Sequence, residues 1–256
     1  MDVQTLTSRD NPLLVALRKL ARDPGGYRKA GLVWLEGDHL CRALLERGGQ
    51  PQQALITDKA WHERPALRAL AEAAPKVRVL PEHLFDGLSG LESPAALGYV
   101  LAAPEAPAID AHAASVVLDR VQDAGNVGSI LRSAAAFGVT QVLALRGTAA
   151  LWSPKVLRAG MGAHFGLRLI EGLGLDDLAT LQVPLVGTCL ATAHLLPAAA
   201  LPVPCAWVLG HEGQGVAAEL LARCALTVRI PQPGGEESLN VAAAAAVCLY
   251  ESARRA

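Results

Sequence analysis

Three segments of this 256-residue chain hold the side chains best suited to chemistry. Residues 116–138, VVLDRVQDAGNVGSILRSAAAFG, carry Asp123, Gly125, Asn126 and Arg132. Residues 207–216, WVLGHEGQGV, carry Gly210, Gly213 and Gly215 around a single acid, Glu212. Residues 229–251, RIPQPGGEESLNVAAAAAVCLYE, put Ser238 and Asn240 ahead of an alanine run. Amides, a hydroxyl and one carboxylate orient partners by hydrogen bonding. A guanidinium holds phosphate and steadies negative charge forming on oxygen. Glycines let a ligand approach the main chain closely. The same residues also fit plain structural work. Asn126 suits a helix N-cap with Arg132 on the surface, and Ser238 suits the N-cap of the alanine-rich helix.

Other chemistries are excluded by spacing. The glycines of GHEGQG stand at relative positions 0, 3 and 5, whereas a dinucleotide fingerprint needs 0, 2 and 5. His211-Glu212 opens like HExxH, but Gly215 occupies the place of the second His, so no zinc protease site forms. There is no Walker A phosphate loop and no G-x-S-x-G nucleophile elbow. Five cysteines form no CxxC pair, so no metal site is expected, and the thiols read as reduced and mostly in the core.

The elements that must position these residues alternate. Residues 12–21 read as a helix, 32–35 as a strand, 38–46 as a helix, 54–57 as a strand, 65–74 as a helix and 77–80 as a strand. Residues 102–114, AAPEAPAIDAHAA, read as a linker. Beyond it, residues 115–118, 141–145, 184–187, 206–209 and 226–230 are short apolar runs with helical stretches between them. That pattern predicts a buried parallel sheet. Each chemical segment begins where such a run ends, and in open α/β sheets ligands bind at those carboxyl ends. The division is thus a small α/β domain over 1–101, a linker over 102–114 and a parallel-sheet domain over 115–256.

Composition agrees with a folded chain: 52% of residues are apolar, which excludes disorder over most of its length. The apolar stretch near the end, residues 241–250, is too short for the roughly 20 residues of a membrane span. The opening MDVQTLTSRDNP has no apolar export region, so a cytoplasmic location is expected. Net charge is −1, yet residues 1–30 hold Arg9, Arg18, Lys19, Arg22, Arg28 and Lys29 against three Asp. Such a cluster fits either phosphate contact or a solvated helix face.

Taken together, the blocks D-x-x-N-x-G-x-I-x-R (123–132), L-G-x-E-x-x-G (209–215) and I-P-x-x-G-x-x-x-S-L-N-V (230–241) resemble the SpoU/TrmH family of RNA ribose 2′-O-methyltransferases, within the SPOUT superfamily. SRDNPLLVALRKL (8–20) and LEGDHLCRALLE (35–46) are similar to the family's small substrate-binding domain. One departure is Ala124, where the family often has Pro.

The resemblance implies a knotted α/β methyltransferase domain, a homodimer, S-adenosylmethionine as methyl donor and a structured RNA as substrate, ribosomal rather than transfer RNA. A tRNA enzyme, or a non-catalytic RNA-binding or ribosome-assembly protein on this scaffold, is the alternative. Asn126, Arg132, Glu212, Ser238 and Asn240 then become catalytic-site residues, with Arg132 central and Glu212 orienting it from its own or the neighbouring subunit. Leu209, Gly210, Gly213, Gly215, Ile230 and Leu239 hold the donor. Arg9, Arg18, Lys19 and Arg22 meet RNA.

Overall fold

Gly98 has no room for a side chain, because a Cβ there would lie 2.2 Å from the Trp34 ring. This close approach lies in the first of two units in the computed structural model, which describes residues 1–90, 93–234 and 238–255. The first unit comprises Met1–Glu105 together with Trp152–Phe165. The second comprises Ala106–Leu151 and the chain from Gly166 onward.

In chain order the first unit runs β1 (Asp2–Thr5), α1 (Pro12–Arg22), α2 (Gly26–Ala30), β2 (Leu32–Glu36), α3 (Asp38–Glu46) and β3 (Gln53–Thr57). It continues with α4 (Asp58–Glu63), α5 (Pro65–Glu72), β4 (Lys76–Leu80), α6 (Glu82–Asp86) and β5 (Leu97–Ala102). Helix α1 starts as its sequence dictates, with Asn11 accepting from the Leu13 amide and Pro12 in the first turn. The strands order β1-β4-β3-β5-β2, with β5 antiparallel to both neighbours. Leu14, Leu17, Trp34, Leu35, Phe85 and Tyr99 fill the core.

The second unit runs β6 (Ser115–Asp119), α7 (Ala124–Ala136) and β7 (Gln141–Leu145). Helix α8 (Pro154–Gly160) follows and belongs to the first unit, where Arg158 pairs with the buried Glu36 at 3.8 Å. The chain then returns through β8 (Arg168–Leu173), β9 (Leu185–Thr188), β10 (Ala206–Gly210), α9 (Ala218–Ala222), β11 (Leu226–Val228) and α10 (Val241–Arg255). The six strands order β11-β9-β10-β6-β7-β8 and every pairing is parallel. Val117, Leu143, Ile170 and Val208 pack in its core.

The parallel sheet forms from the five predicted runs, with β9 moved one residue on to Leu185–Thr188 and β11 shortened to Leu226–Val228, and it gains β8, which no predicted run covered. The stretch read as a linker carries no regular element after Ala102. Within the second unit, the Asp110 amide donates to the Gln141 side chain at 2.8 Å, and Gln141 Nε2 donates back to the Asp110 carbonyl at 3.1 Å. Cys41, Cys205 and Cys248 are buried and all five cysteines are free thiols. No helix among the described residues is long and apolar enough to cross a membrane.

Candidate active site

Register brings the chemical segments together. Gly210 pairs with Asp119 across β10 and β6, so the loops leaving those two strands start side by side. Strand β9 lies beyond β10, and β11 beyond β9. All point the same way, so the loops after β6, β10, β9 and β11 share the carboxyl end of the sheet.

The loop after β10 is a tight hairpin. His211 and Gly215 exchange main-chain hydrogen bonds at 3.0 and 2.8 Å. A Cβ on Gly210 would come within 2.1 Å of the Gly215 and Val216 backbone, and Gly215 sits at φ +68°. Both positions therefore need glycine. Gly213 and Gln214 donate their amides to His211 Nδ1.

Glu212 reaches from this hairpin to the loop after β6. Its carboxylate accepts from the amides of Gln122 (3.2 Å) and Asp123 (3.0 Å) and from Asn126 Nδ2 (3.1 Å). Burial pushes this carboxyl up. The bonds from Asp123, Asn126, its own amide and Gln122 outweigh that and hold it at about 2. Asn126 Oδ1 in turn accepts from Asn240 Nδ2 at 3.0 Å. The three segments thus meet in one relay, Asn240 to Asn126 to Glu212.

The capping expectations are corrected. Asp123, not Asn126, caps α7, accepting from the Asn126 amide at 2.9 Å, which frees the Asn126 side chain for the relay. Asn240, not Ser238, caps α10, its Oδ1 accepting from Ala242 at 2.9 Å and Ala243 at 3.2 Å. Ser238 is exposed. Gly235 of the third segment lies outside the described residues.

Within the chain no hydrogen bond or ion pair among the described residues joins Arg132 to Glu212, whose carboxylate accepts instead from loop amides and Asn126. Arg132 stands exposed in the third turn of α7, roughly 9 Å of helical rise beyond Asn126. Leu209 and Gly210 are buried, Ile230 is half-buried and Leu239 is exposed. Arg9, Lys19 and Arg22 are exposed on the first unit. Arg18 instead donates to the carbonyls of Leu14 and Arg9, tying its own helix to the preceding loop.

The residues missed from sequence lie in the loop after β9. Thr188 donates to the Val208 carbonyl and Thr192 to that of Thr227, while Leu195 bridges to Arg229. Leu190, Leu195 and Leu239 are left exposed at this sheet end. Open apolar side chains beside a glycine hairpin and a polar relay suit a ligand with a flat apolar part and a polar part. Among the described residues no group of three or more His, Cys, Asp and Glu side chains gathers as a metal site would.

An all-parallel sheet with interlocked strand-end loops makes the second unit an open α/β domain beside a separate α/β unit in the same chain. The SpoU rRNA Methylase family model matches residues 113–250, and the chain belongs to that family. It is 30% identical over 225 residues to the 23S rRNA (guanosine(2553)-2′-O)-methyltransferase RlmP of Bacillus subtilis, covering 87% of this chain and 88% of that one. A crystal structure of an RNA 2′-O ribose methyltransferase superposes with a TM-score of 0.81 at 30% identity, covering 98% of this chain and 99% of the other. An AdoMet-bound rRNA methyltransferase from Sinorhizobium meliloti shares the fold, with a TM-score of 0.87, 24% identity and coverage of 99% and 98%.

Proposed function

We propose that this chain methylates a ribose 2′-hydroxyl of structured ribosomal RNA, with S-adenosylmethionine as donor. The Asn240–Asn126–Glu212 relay carries the reading, because it fastens three distant segments into one site at the sheet's carboxyl end. The hairpin at Leu209, Gly210, Gly213 and Gly215, with Ile230 and Leu239, would hold the donor's adenosine against main chain. The donor supplies a methyl group already activated by a sulfonium centre. What remains for the protein is to place the ribose hydroxyl in line and favour loss of its proton, and alignment of that kind supplies roughly 7–11 kcal/mol.

Arg132 is the residue for the second task. A cation that stays protonated steadies the forming alkoxide and holds the neighbouring phosphate, but does not itself take the proton. Its exposed position suits contact with RNA or with the site of a second subunit. Asn126 and Asn240 are positioning groups, Glu212 fixes Asn126, and the exposed Ser238 would hydrogen-bond substrate at the mouth. The first unit selects the RNA, with Arg9, Lys19 and Arg22 on phosphates.

A homodimer fits the exposed Val247 and Tyr250 on α10, where the Tyr250 ring lies 5.8 Å from that of Phe137. The knotted path of the family and a cytoplasmic location complete the proposal. The test is to map 2′-O-methyl groups in total RNA from cells with and without the protein. Loss of one ribosomal site, restored by purified protein plus donor, supports it. An unchanged map, or a lost site in tRNA, overturns the assignment.

A further inference from the structure

Arg120 has an uncommon backbone. Its φ of 57° lies in the left-handed region, which it shares with only Met161 among the described non-glycine residues. A residue held there costs of order 1–3 kcal/mol and persists where surrounding contacts fix it. Those contacts are visible. Arg120 Nε and Nη2 donate to the two oxygens of Asp119 at 2.9 and 3.1 Å, and Asp119 is buried, with 4% of its side chain exposed. Nη1 reaches away from that fork to Gln214 Oε1 at 3.0 Å. The Arg120 stem lies against Gly147 in the loop after β7, where a Cβ would stand 3.1 Å from its Cγ.

Asp119 completes the arrangement. Its Oδ2 also accepts from the Ala217 amide at 2.8 Å, just past the glycine hairpin. The hairpin is therefore held at three points: Glu212 by the loop after β6, Gln214 by Arg120, and Ala217 by Asp119. Gln214 makes no other side-chain bond among the described residues, so its position depends on Arg120. A lysine could not replace it, since one ammonium cannot grip a carboxylate side-on and reach an amide beyond it.

We propose that Arg120 is a positioning residue that latches the 211–215 hairpin through Gln214 and so sets affinity for the methyl donor, not the rate of transfer. This rests on the donor assignment above. The hairpin must be ordered before it can bind, and order supplied in advance raises affinity by lowering the entropy lost on binding.

The test compares wild type, Arg120→Lys, Gln214→Ala and the double variant. Gln214→Ala leaves the Arg120–Asp119 pair intact, so it loosens the latch without stranding a buried carboxylate. Two quantities are read: amide hydrogen exchange over residues 211–217 in the ligand-free protein, and Kd for S-adenosylmethionine by calorimetry. Gln214→Ala should exchange faster at Gly213 to Val216 and bind donor about 10-fold more weakly, as expected for one charged hydrogen bond. Arg120→Lys should match it, and the double variant should be no weaker than either. At saturating donor, kcat should stay within about two-fold of wild type, since the interaction acts on binding alone. Wild-type exchange and wild-type Kd in Gln214→Ala overturn the proposal, as do additive losses in the double variant. If wild type itself takes up no donor, the assignment of function falls, and the exchange data alone still decide whether Arg120 holds the hairpin.

Discussion

Asn126 and Glu212 stand 86 residues apart in sequence and share a hydrogen bond of 3.1 Å. Each loop also supplies a carboxylate to the other's main chain: Glu212 accepts from Gln122 and Asp123, and Asp119 accepts from Ala217. The two strand-end loops are thereby stapled in both directions. Asn126→Ala should break the relay at its centre. We expect kcat/KM to fall ~10–100-fold, the size of one to two hydrogen bonds to charged or ordered groups. Asn126→Ala combined with Glu212→Ala should be much less than additive, measured by steady-state methyl transfer to RNA.

Arg132→Ala tests the electrostatic role directly. Losing one oriented cation at a developing alkoxide should lower kcat ~10²–10³-fold. Donor Kd and the melting temperature should not move, because the guanidinium is exposed and bonds to none of Asn126, Glu212 and Asn240. Normal methylation by a folded Arg132→Ala protein removes Arg132 from the mechanism.

The depressed Glu212 carboxyl predicts an acid limit. Its folded value of about 2 lies below its ordinary 4.5, so the charged form is favoured in the fold. Its stabilising contribution is complete above about 4.5 and is lost as pH falls from there through about 2. Melting temperature should therefore drop more steeply across that interval in wild type than in Glu212→Gln. Parallel curves for the two proteins contradict it.

Asn240 and Ser238 can be separated by stability. Asn240→Ala removes the cap of α10 and should cost about 1 kcal/mol. Ser238→Ala should leave urea unfolding unchanged, because Asn240 supplies the cap.

Removing residues 1–105 should not yield a clean methyltransferase domain. The segment Trp152–Phe165 belongs to the first unit, and Val156, Leu157 and Gly160 of α8 are buried there. The shortened protein should bind a hydrophobic dye and aggregate. Substituting Val156 and Leu157 with polar residues in the same truncation should restore solubility, read by light scattering.

Much of this was legible before any coordinates. The apolar runs announced the parallel sheet, since strands buried on both faces need no alternation. Strand β1 was not legible: its four residues, DVQT, are all exposed and lack an apolar run. Nor was β5 singled out, where Gly98 interrupts an apolar run for the sake of Trp34 in a neighbouring strand. Nothing local to α8 says that its apolar face packs with elements over a hundred residues earlier. The residues of the relay were legible by type and by likeness, but their pairing was not. Asn126, Ser238 and Asn240 are all good capping residues, and only the packing of α7 against α10 decides which cap and which reach across.

The position of Asn240 has a consequence for synthesis. This one side chain both starts the last helix and closes the relay, while its partners Asn126 and Glu212 emerge from the ribosome well before it. A nascent chain stopped short of it would have a nearly finished sheet and an open ring of loops. The relay thus stays open until Asn240 has been made, and a product that stops before it lacks the proposed site.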